Sequence, residues 1–148
     1  MKHLLRAATV AAILAAAPAA WAQTADRTYD MGPVWVISYV ETKPGMFDDY
    51  MAYVGSTWRS IQETEKQAGN VLDYHVLAIN DARDGEPDVI LLTKLKGMAT
   101  YDRPLAETDA LMAKAFGSVK QSNVAAVKRE DVRVLRGSVS AREMTFGQ

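Results

Sequence analysis

Two segments of this chain are apolar on both faces of any strand they form. Residues 34–41 read VWVISYVE, and residues 88–96 read DVILLTKLK. Side chains of an extended strand point alternately to its two faces. The first segment carries Trp35, Ile37 and Tyr39 on one face, and Val34, Val36 and Val40 with Ser38 on the other. Such a strand is stable when both of its faces are covered, so these segments predict strands inside a layered core.

The rest of the chain supplies helices and two further strands. Apolar residues recur every three or four positions over residues 45–68, which predicts an amphipathic helix. Its stripe comprises Phe47, Tyr50, Met51, Val54, Trp58 and Ile61. Residues 71–80 read as a strand, and the polar turn at residues 81–87 joins it to residues 88–96 as a hairpin. Residues 138–146 read as the last strand.

The segment between residues 105 and 136 is the ambiguous part of the pattern. Residues 105–116 predict a helix, and Gly117 interrupts it. Apolar residues of segment 118–136 fit helical spacing, but Val132-Arg133-Val134 can equally begin a strand. We favour a helix as far as Arg136.

The resulting order, β-α-β-β-α-β, is the ferredoxin-like arrangement. It predicts an α+β fold in which a four-stranded antiparallel sheet carries its helices on one face. Those helices cover only one of the two apolar faces. We therefore predict that a second copy of the chain covers the other, in a sheet-to-sheet homodimer.

At this level residues 33–146 resemble the dimeric α/β-barrel superfamily. The resemblance rests on the opening strand with its turn Lys43-Pro44-Gly45, the helix with Tyr50 and Trp58, the hairpin pair VLDYHVLAIN and DVILLTKLK, and the final strand with Arg142-Glu143-Met144. In that superfamily two ferredoxin-like subunits pack sheet against sheet. Its members include quinol and antibiotic monooxygenases, haem-degrading enzymes, chlorite dismutase-like haem proteins, muconolactone isomerase-like proteins, and small exported proteins of unknown function. The resemblance therefore implies a fold and a dimer, and it leaves the activity open.

The first 22 residues have the layout of a secretory signal peptide. Lys2 and Arg6 supply positive charge, an apolar run follows, and Ala20-Trp21-Ala22 is a small-x-small cleavage site. The apolar run is shorter than the ~20 residues that span a bilayer. We predict cleavage after Ala22, a flexible lead over residues 23–32, and a periplasmic or secreted domain over residues 33–146 without a membrane anchor.

Composition excludes several classes of site. The chain has no cysteine, so disulfides, Cys-ligated zinc, iron–sulfur clusters and thiol nucleophiles are excluded. Its formal net charge of −1 argues against a nucleic-acid partner. His75 is the only histidine after the predicted signal peptide, so a two-histidine metal site is excluded there. We predict no metal and no cofactor, with haem on His75 as an open alternative.

Five residues are candidates for a ligand site: Tyr39, Trp58, Tyr74, His75 and Arg142. Trp58 could stack on a flat ligand between helix and sheet, and Tyr39 or Tyr74 could present a hydroxyl group. His75 could act as a base or a haem ligand, and Arg142 could hold an anion. Each also has an ordinary structural explanation as a packing, interface or surface residue.

The sequence contains no phosphate-binding loop, no Gly-x-Ser-x-Gly elbow and no paired-histidine motif, so it identifies no catalytic residue. We predict an exported homodimer that binds a small apolar or aromatic molecule between its sheet and helices. The alternatives are a cofactor-independent monooxygenase or isomerase, a haem protein that uses His75, and a structural dimer without a ligand.

Overall fold

The structure is a computed structural model that describes residues 27–146. The predicted signal peptide and residues 23–26 of the predicted lead lie outside the described residues. The elements in chain order are strand β1 (Tyr29–Thr42), helix α1 (Phe47–Tyr53), a π-helical turn (Val54–Trp58), helix α2 (Arg59–Gln67), strands β2 (Val71–Ala78) and β3 (Val89–Leu95), a 3₁₀ turn (Met98–Asp102), helices α3 (Leu105–Phe116) and α4 (Val119–Arg129), and strand β4 (Arg133–Phe146). Within residues 27–146, no helix has both the length and the apolar character needed to cross a membrane.

The strands form one four-stranded antiparallel sheet in the order β2-β3-β1-β4. Strand β1 lies in the interior of the sheet and pairs with β4 along its whole length, from Tyr29 opposite Phe146 to Thr42 opposite Arg133. The predicted α+β class, with a four-stranded antiparallel sheet and helices, is confirmed.

One face of the sheet packs against the helices, and we call it the covered face. Its main cluster of buried residues comprises Val40, Tyr50, Val54, Val89 and Leu91. A second cluster comprises Val34, Val71 and Leu95. The alternation predicted for β1 is therefore correct, because Val34 and Val40 are both buried on this face.

The opposite face of the sheet, which we call the open face, is also apolar. Cross-strand pairs share a face, and here Ile37 pairs with Leu92 and Val139, Tyr39 with Ile90, and Leu77 with Ile90. None of these side chains is buried, and Leu77 and Val139 are 50% and 48% exposed. Within residues 27–146 the open face thus stays partly accessible to solvent.

A bulge in β2 changes the faces predicted for its first residues. Strict alternation puts Val71 on the same face as Asp73 and His75. In the structure Val71 pairs with Leu95 and Asp73 pairs with Lys94, so Leu72 is an extra residue. Val71 is consequently buried on the covered face, because a bulge shifts the alternation by one position.

The favoured helix as far as Arg136 is wrong beyond Arg129. Strand β4 already begins at Arg133, and the backbone N–H of Lys43 donates to the carbonyl of Val132 at 2.9 Å. Helical spacing and strand alternation both fit this short segment, and pairing with the long β1 decides between them. The same pairing makes residues 29–32 part of β1, although the sequence pattern assigns them to the flexible lead.

Candidate functional site

A cavity on the covered face lies between the sheet, α2 and α3, and we call it the apolar cavity. Its volume is about 410 Å³. It is lined by Val36, Ile61, Gln62, Glu65, Val71, Thr93, Leu95, Thr100, Tyr101, Arg103, Thr108, Leu111 and Met112. Most of the surface that lines the cavity is apolar, so the cavity favours a ligand with an apolar body.

Four polar side chains of the apolar cavity form two hydrogen-bonded pairs. Arg103 Nη1 donates to both carboxylate oxygens of Glu65, at 2.8 and 2.7 Å. Thr93 Oγ1 donates to Gln62 Oε1 at 3.2 Å. Gln62 and Glu65 are one turn apart on α2, and both are buried against the sheet. These paired groups give the cavity polar positions that can orient a ligand.

The second cavity, which we call the arginine cavity, has a volume of about 200 Å³. It is lined by Ser38, Val40, Tyr50, Tyr53, Trp58, Leu91, Arg129, Arg133 and Leu135. It shares no lining residue with the apolar cavity, but the two are neighbours along β3, where Leu91 lines one and Thr93 the other.

The end of α4 and the start of β4 bring two guanidinium groups to the arginine cavity. The guanidinium carbon of Arg129 lies 4.6 Å from the ring centroid of Tyr53, and that of Arg133 lies 5.9 Å from the centroid of Tyr50. Arg133 Nη2 also lies 3.3 Å from Glu130 Oε1. The aromatic rings hold both cations against the cavity wall through cation–π attraction.

The tyrosines of the arginine cavity are held in their neutral form. Burial raises the pKa of Tyr50 to about 12, against the lowering effect of Arg133. Burial likewise raises the pKa of Tyr53 above its usual value of 10.0, although Arg129 lowers it. Both phenols therefore remain protonated at neutral pH and keep an O–H group as a possible donor.

Trp58 reaches this cavity from the end of a π-helical turn. The sequence predicts one regular helix over residues 45–68, whereas the structure widens it at Val54–Trp58. Ser56 Oγ donates to the carbonyl of Ala52 at 2.6 Å, and this bond competes with the regular helical ladder. π-Helical turns are frequent at functional sites, so the irregularity marks the segment that presents Trp58.

The five sequence candidates do not line one cavity. Trp58 lines the arginine cavity, and Tyr74 packs edge-on against it at 5.4 Å between ring centroids. The Tyr74 hydroxyl donates to Glu63, and that hydrogen bond raises its pKa. Arg142 pairs with Val34 on the covered face, where its side chain is exposed on the edge strand β4.

Tyr39 and His75 lie on the open face, away from both cavities. His75 stacks on Trp35 with 6.1 Å between ring centroids, and its Nε2 lies 3.3 Å from Asp73 Oδ2. Its side chain is half exposed. Within residues 27–146 no group of three or more histidine, aspartate and glutamate side chains is arranged to hold a metal ion.

A polar cluster surrounds Trp35 at the same end of the open face. Trp35 Nε1 donates to Glu143 Oε2 at 2.8 Å, and Lys94 Nζ lies 2.7 Å from the same oxygen. These two donors lower the pKa of Glu143. The hydrogen bond from the backbone N–H of Tyr74 is the main cause of a lowered pKa for Asp73. The polar cluster therefore carries charge at one end of an otherwise apolar face.

Sequence reasoning did not identify Glu65, Arg103, Arg129 or Arg133 as site residues. Glu65 lies in the polar run ETEKQ, which reads as a solvent-exposed helix end. Arg129 and Arg133 lie in the segment of ambiguous secondary structure. The only sequence signal for Arg129 and Arg133 is a pair of basic residues where a helix meets a strand. That pattern is common, and it indicates a site here only once the cavity is known.

Comparisons with known proteins bear on the fold alone. No protein-family model matches the sequence, and no curated protein matches it. The chain is similar in structure to HapK from Hahella chejuensis, with 9% identity, a TM-score of 0.52, and coverage of 78% of this chain and 96% of that one. It is also similar to protein SO0527 from Shewanella oneidensis, with 14% identity, a TM-score of 0.50, and coverage of 79% and 98%. The chain therefore has a small α+β fold that solved bacterial proteins also adopt.

Proposed function

We propose that this protein binds a small molecule with an apolar or aromatic body, and that the apolar cavity is its binding site. The observation that carries the proposal is a cavity of about 410 Å³ whose lining surface is mostly apolar and includes two pairs of hydrogen-bonded polar side chains. Ligand sites in proteins commonly have volumes of about 300–1,000 Å³ and this kind of lining. Aliphatic walls release water when an apolar ligand enters, which is the driving force for binding.

The geometry around Leu111 supports entry of a ligand between helix and sheet. Leu111 is buried on α3 and lines the apolar cavity together with Leu95 and Val71 of the sheet. The Glu65–Arg103 pair lies on the same lining and can accept or donate hydrogen bonds to a polar ligand substituent. The proposed ligand is thus largely apolar and carries at most a few polar groups.

The test uses the neutral fluorescent probe N-phenyl-1-naphthylamine with the purified chain. We expect saturable binding, and at least about a tenfold loss of affinity in Leu111→Phe, because the larger ring fills the cavity. Leu105→Phe is the matched control, since Leu105 lies on the same helix but is 81% exposed. Absence of saturable binding, or equal loss in both variants, would overturn the proposal. Thermal unfolding of each variant checks that it is folded.

We also propose that the protein is a ferredoxin-like subunit of a sheet-to-sheet homodimer, as in the dimeric α/β-barrel superfamily. The strand order β2-β3-β1-β4 and the β-α-β-β-α-β sequence of elements support the ferredoxin-like assignment. The apolar open face supports the dimer, because a contiguous apolar surface marks an interaction site. A second copy is the occupant with a matching face, since a two-fold interface pairs the same surface from both subunits.

We further propose that the protein is exported from the cytoplasm. The sequence pattern of residues 1–22 supports secretion with cleavage after Ala22. Intact-mass measurement of the protein recovered from a bacterial periplasm would test it. A mass that begins at Gln23 supports export with this cleavage site, and a full-length mass in the cytoplasm contradicts it.

A further inference from the structure

The arginine cavity holds more positive charge than its own residues neutralise. Arg129 and Arg133 both line it, and none of the other lining residues is acidic. Within residues 27–146, no carboxylate oxygen lies within 4 Å of an Arg129 side-chain nitrogen, and Arg133 has only the contact with the exposed Glu130. Two cations that share a small cavity repel each other and strongly favour an anion between them.

Unpaired hydrogen-bond donors in the arginine cavity also favour a bound anion. Arg129 Nη1 and Arg133 Nε are both buried, and neither has a hydrogen-bond partner within the part of the chain that the structure describes. Buried polar groups in native proteins nearly always have a partner, so an unpaired one calls for an explanation such as a ligand. Stacking on Tyr53 and Tyr50 does not replace these bonds, because a ring face attracts the charge without accepting in-plane N–H groups.

The walls of the cavity specify what kind of anion fits. Trp58 and Tyr53 supply flat aromatic surfaces, and Val40, Leu91 and Leu135 supply aliphatic ones. A dianion such as phosphate would lose much of its hydration in these surroundings. A carboxylate carries a single charge and matches the planar fork of a guanidinium group. A flat ring attached to it would use the aromatic walls.

From these contacts we infer that the arginine cavity is a second binding site, which takes the carboxylate of a small planar aromatic acid. Arg129 and Arg133 bind its charge, and Trp58 and Tyr53 contact its ring. This site is lined by other residues than the apolar cavity, so it stands or falls independently of the proposed function. It also assigns anion binding to residues other than Arg142.

The experiment compares benzoate with its neutral isostere benzamide by calorimetry on the intact purified protein. We expect benzoate to bind at least about tenfold more tightly than benzamide. Arg129→Met and Arg133→Met should each abolish that preference, because methionine keeps an unbranched side chain and removes the charge. Arg136→Met is the matched control on β4, since Arg136 is paired with Glu41 and does not line the cavity.

Further variants keep the result interpretable. Arg133→Lys retains the charge without the planar fork and should reduce the preference without removing it; it also serves if Arg133→Met does not fold. Leu111→Phe should leave benzoate binding unchanged, which separates this site from the apolar cavity. The inference is overturned if neither compound binds, if both bind equally, if Arg136→Met loses as much as the cavity variants, or if inorganic phosphate competes with benzoate at equal concentration.

Discussion

Arg103 and Glu65 form a two-point contact at the wall of the apolar cavity, with Arg103 Nη1 at 2.8 and 2.7 Å from the two carboxylate oxygens. Glu65 is buried, and it also accepts a hydrogen bond from Asn70 Nδ2 at 3.0 Å. The contact ties α2 to the segment between the 3₁₀ turn and α3. It therefore helps to hold the two helices that enclose the cavity.

Removal of this arginine should destabilise the fold. Arg103→Ala leaves a buried carboxylate without its main partner, so we expect a loss of about 1–3 kcal/mol in the free energy of unfolding, measured by urea denaturation. Arg83→Ala is the control, because Arg83 pairs with Glu86 at an exposed turn, where solvent screens the charges, and its loss should change stability much less. Equal effects in the two variants would contradict a structural role for the Glu65–Arg103 contact.

Charge on the open face should separate the proposed dimer. Light scattering on the purified wild-type chain is expected to report twice the subunit mass. Val139→Glu and Leu77→Glu should shift it to the single mass while each subunit stays folded, because both side chains are half exposed in one subunit. Val127→Glu on α4 is the control, since Val127 is also exposed but lies on a helix. A wild-type particle of single mass would rule out the proposed pairing.

Replacement of two glycines by alanine should change the free energy of unfolding in opposite directions. Gly117 ends α3 with φ at +87°, where a Cβ would lie 2.4 Å from Gln121 Oε1. Gly117→Ala should therefore lower the free energy of unfolding by about 1 kcal/mol. Gly55 lies inside the π-helical turn, and a Cβ there meets nothing within 4 Å. Gly55→Ala should raise the free energy of unfolding by about 0.5–1 kcal/mol. Thermal unfolding of both variants measures the two changes, and changes in the same direction would contradict the prediction.

The buried phenol of Tyr50 predicts alkaline destabilisation. Its pKa is about 12 in the folded chain and 10.0 in its ordinary state, so the unfolded chain loses this proton first as pH rises. Stability from this group is complete below pH 10 and declines as pH rises towards 12. In Tyr50→Phe the free energy of unfolding should decrease less over that pH interval than in the wild type. Denaturant titrations at several pH values measure this difference. Parallel stability curves for the wild type and Tyr50→Phe over that pH interval would contradict this prediction.

The sheet and its two faces were largely readable from the sequence. Strand alternation placed Val34 and Val40 on one face of β1 and Ile37 on the other, and the structure agrees. Such patterns are reliable because they reflect local geometry: each residue of a strand points opposite to its neighbour. The same local rule fails at Val71, where the bulge at Leu72 depends on how β2 pairs with β3.

The candidate sites were less readable. Of the five candidates, only Trp58 lines one of the two cavities, and its neighbours there, Arg129 and Arg133, come from a segment whose secondary structure the pattern left ambiguous. Basic residues at a helix end usually face solvent. Arg129 and Arg133 line the cavity because α4 ends at Arg129 and β4 begins at Arg133. The start of β4 is determined by its pairing with β1, a strand far away in the sequence.

The sequence by itself determined the order of elements, the apolar character of both sheet faces and the helix stripe of Tyr50 and Val54, since these depend on short-range spacing along the chain. Tertiary structure decided the extent of β1 and β4, the bulge in β2, and the grouping of side chains around the two cavities. Those features depend on contacts between residues far apart in sequence, such as Thr42 with Arg133. A pattern of neighbouring residues does not predict such a contact, because the two residues interact only after the strands have paired.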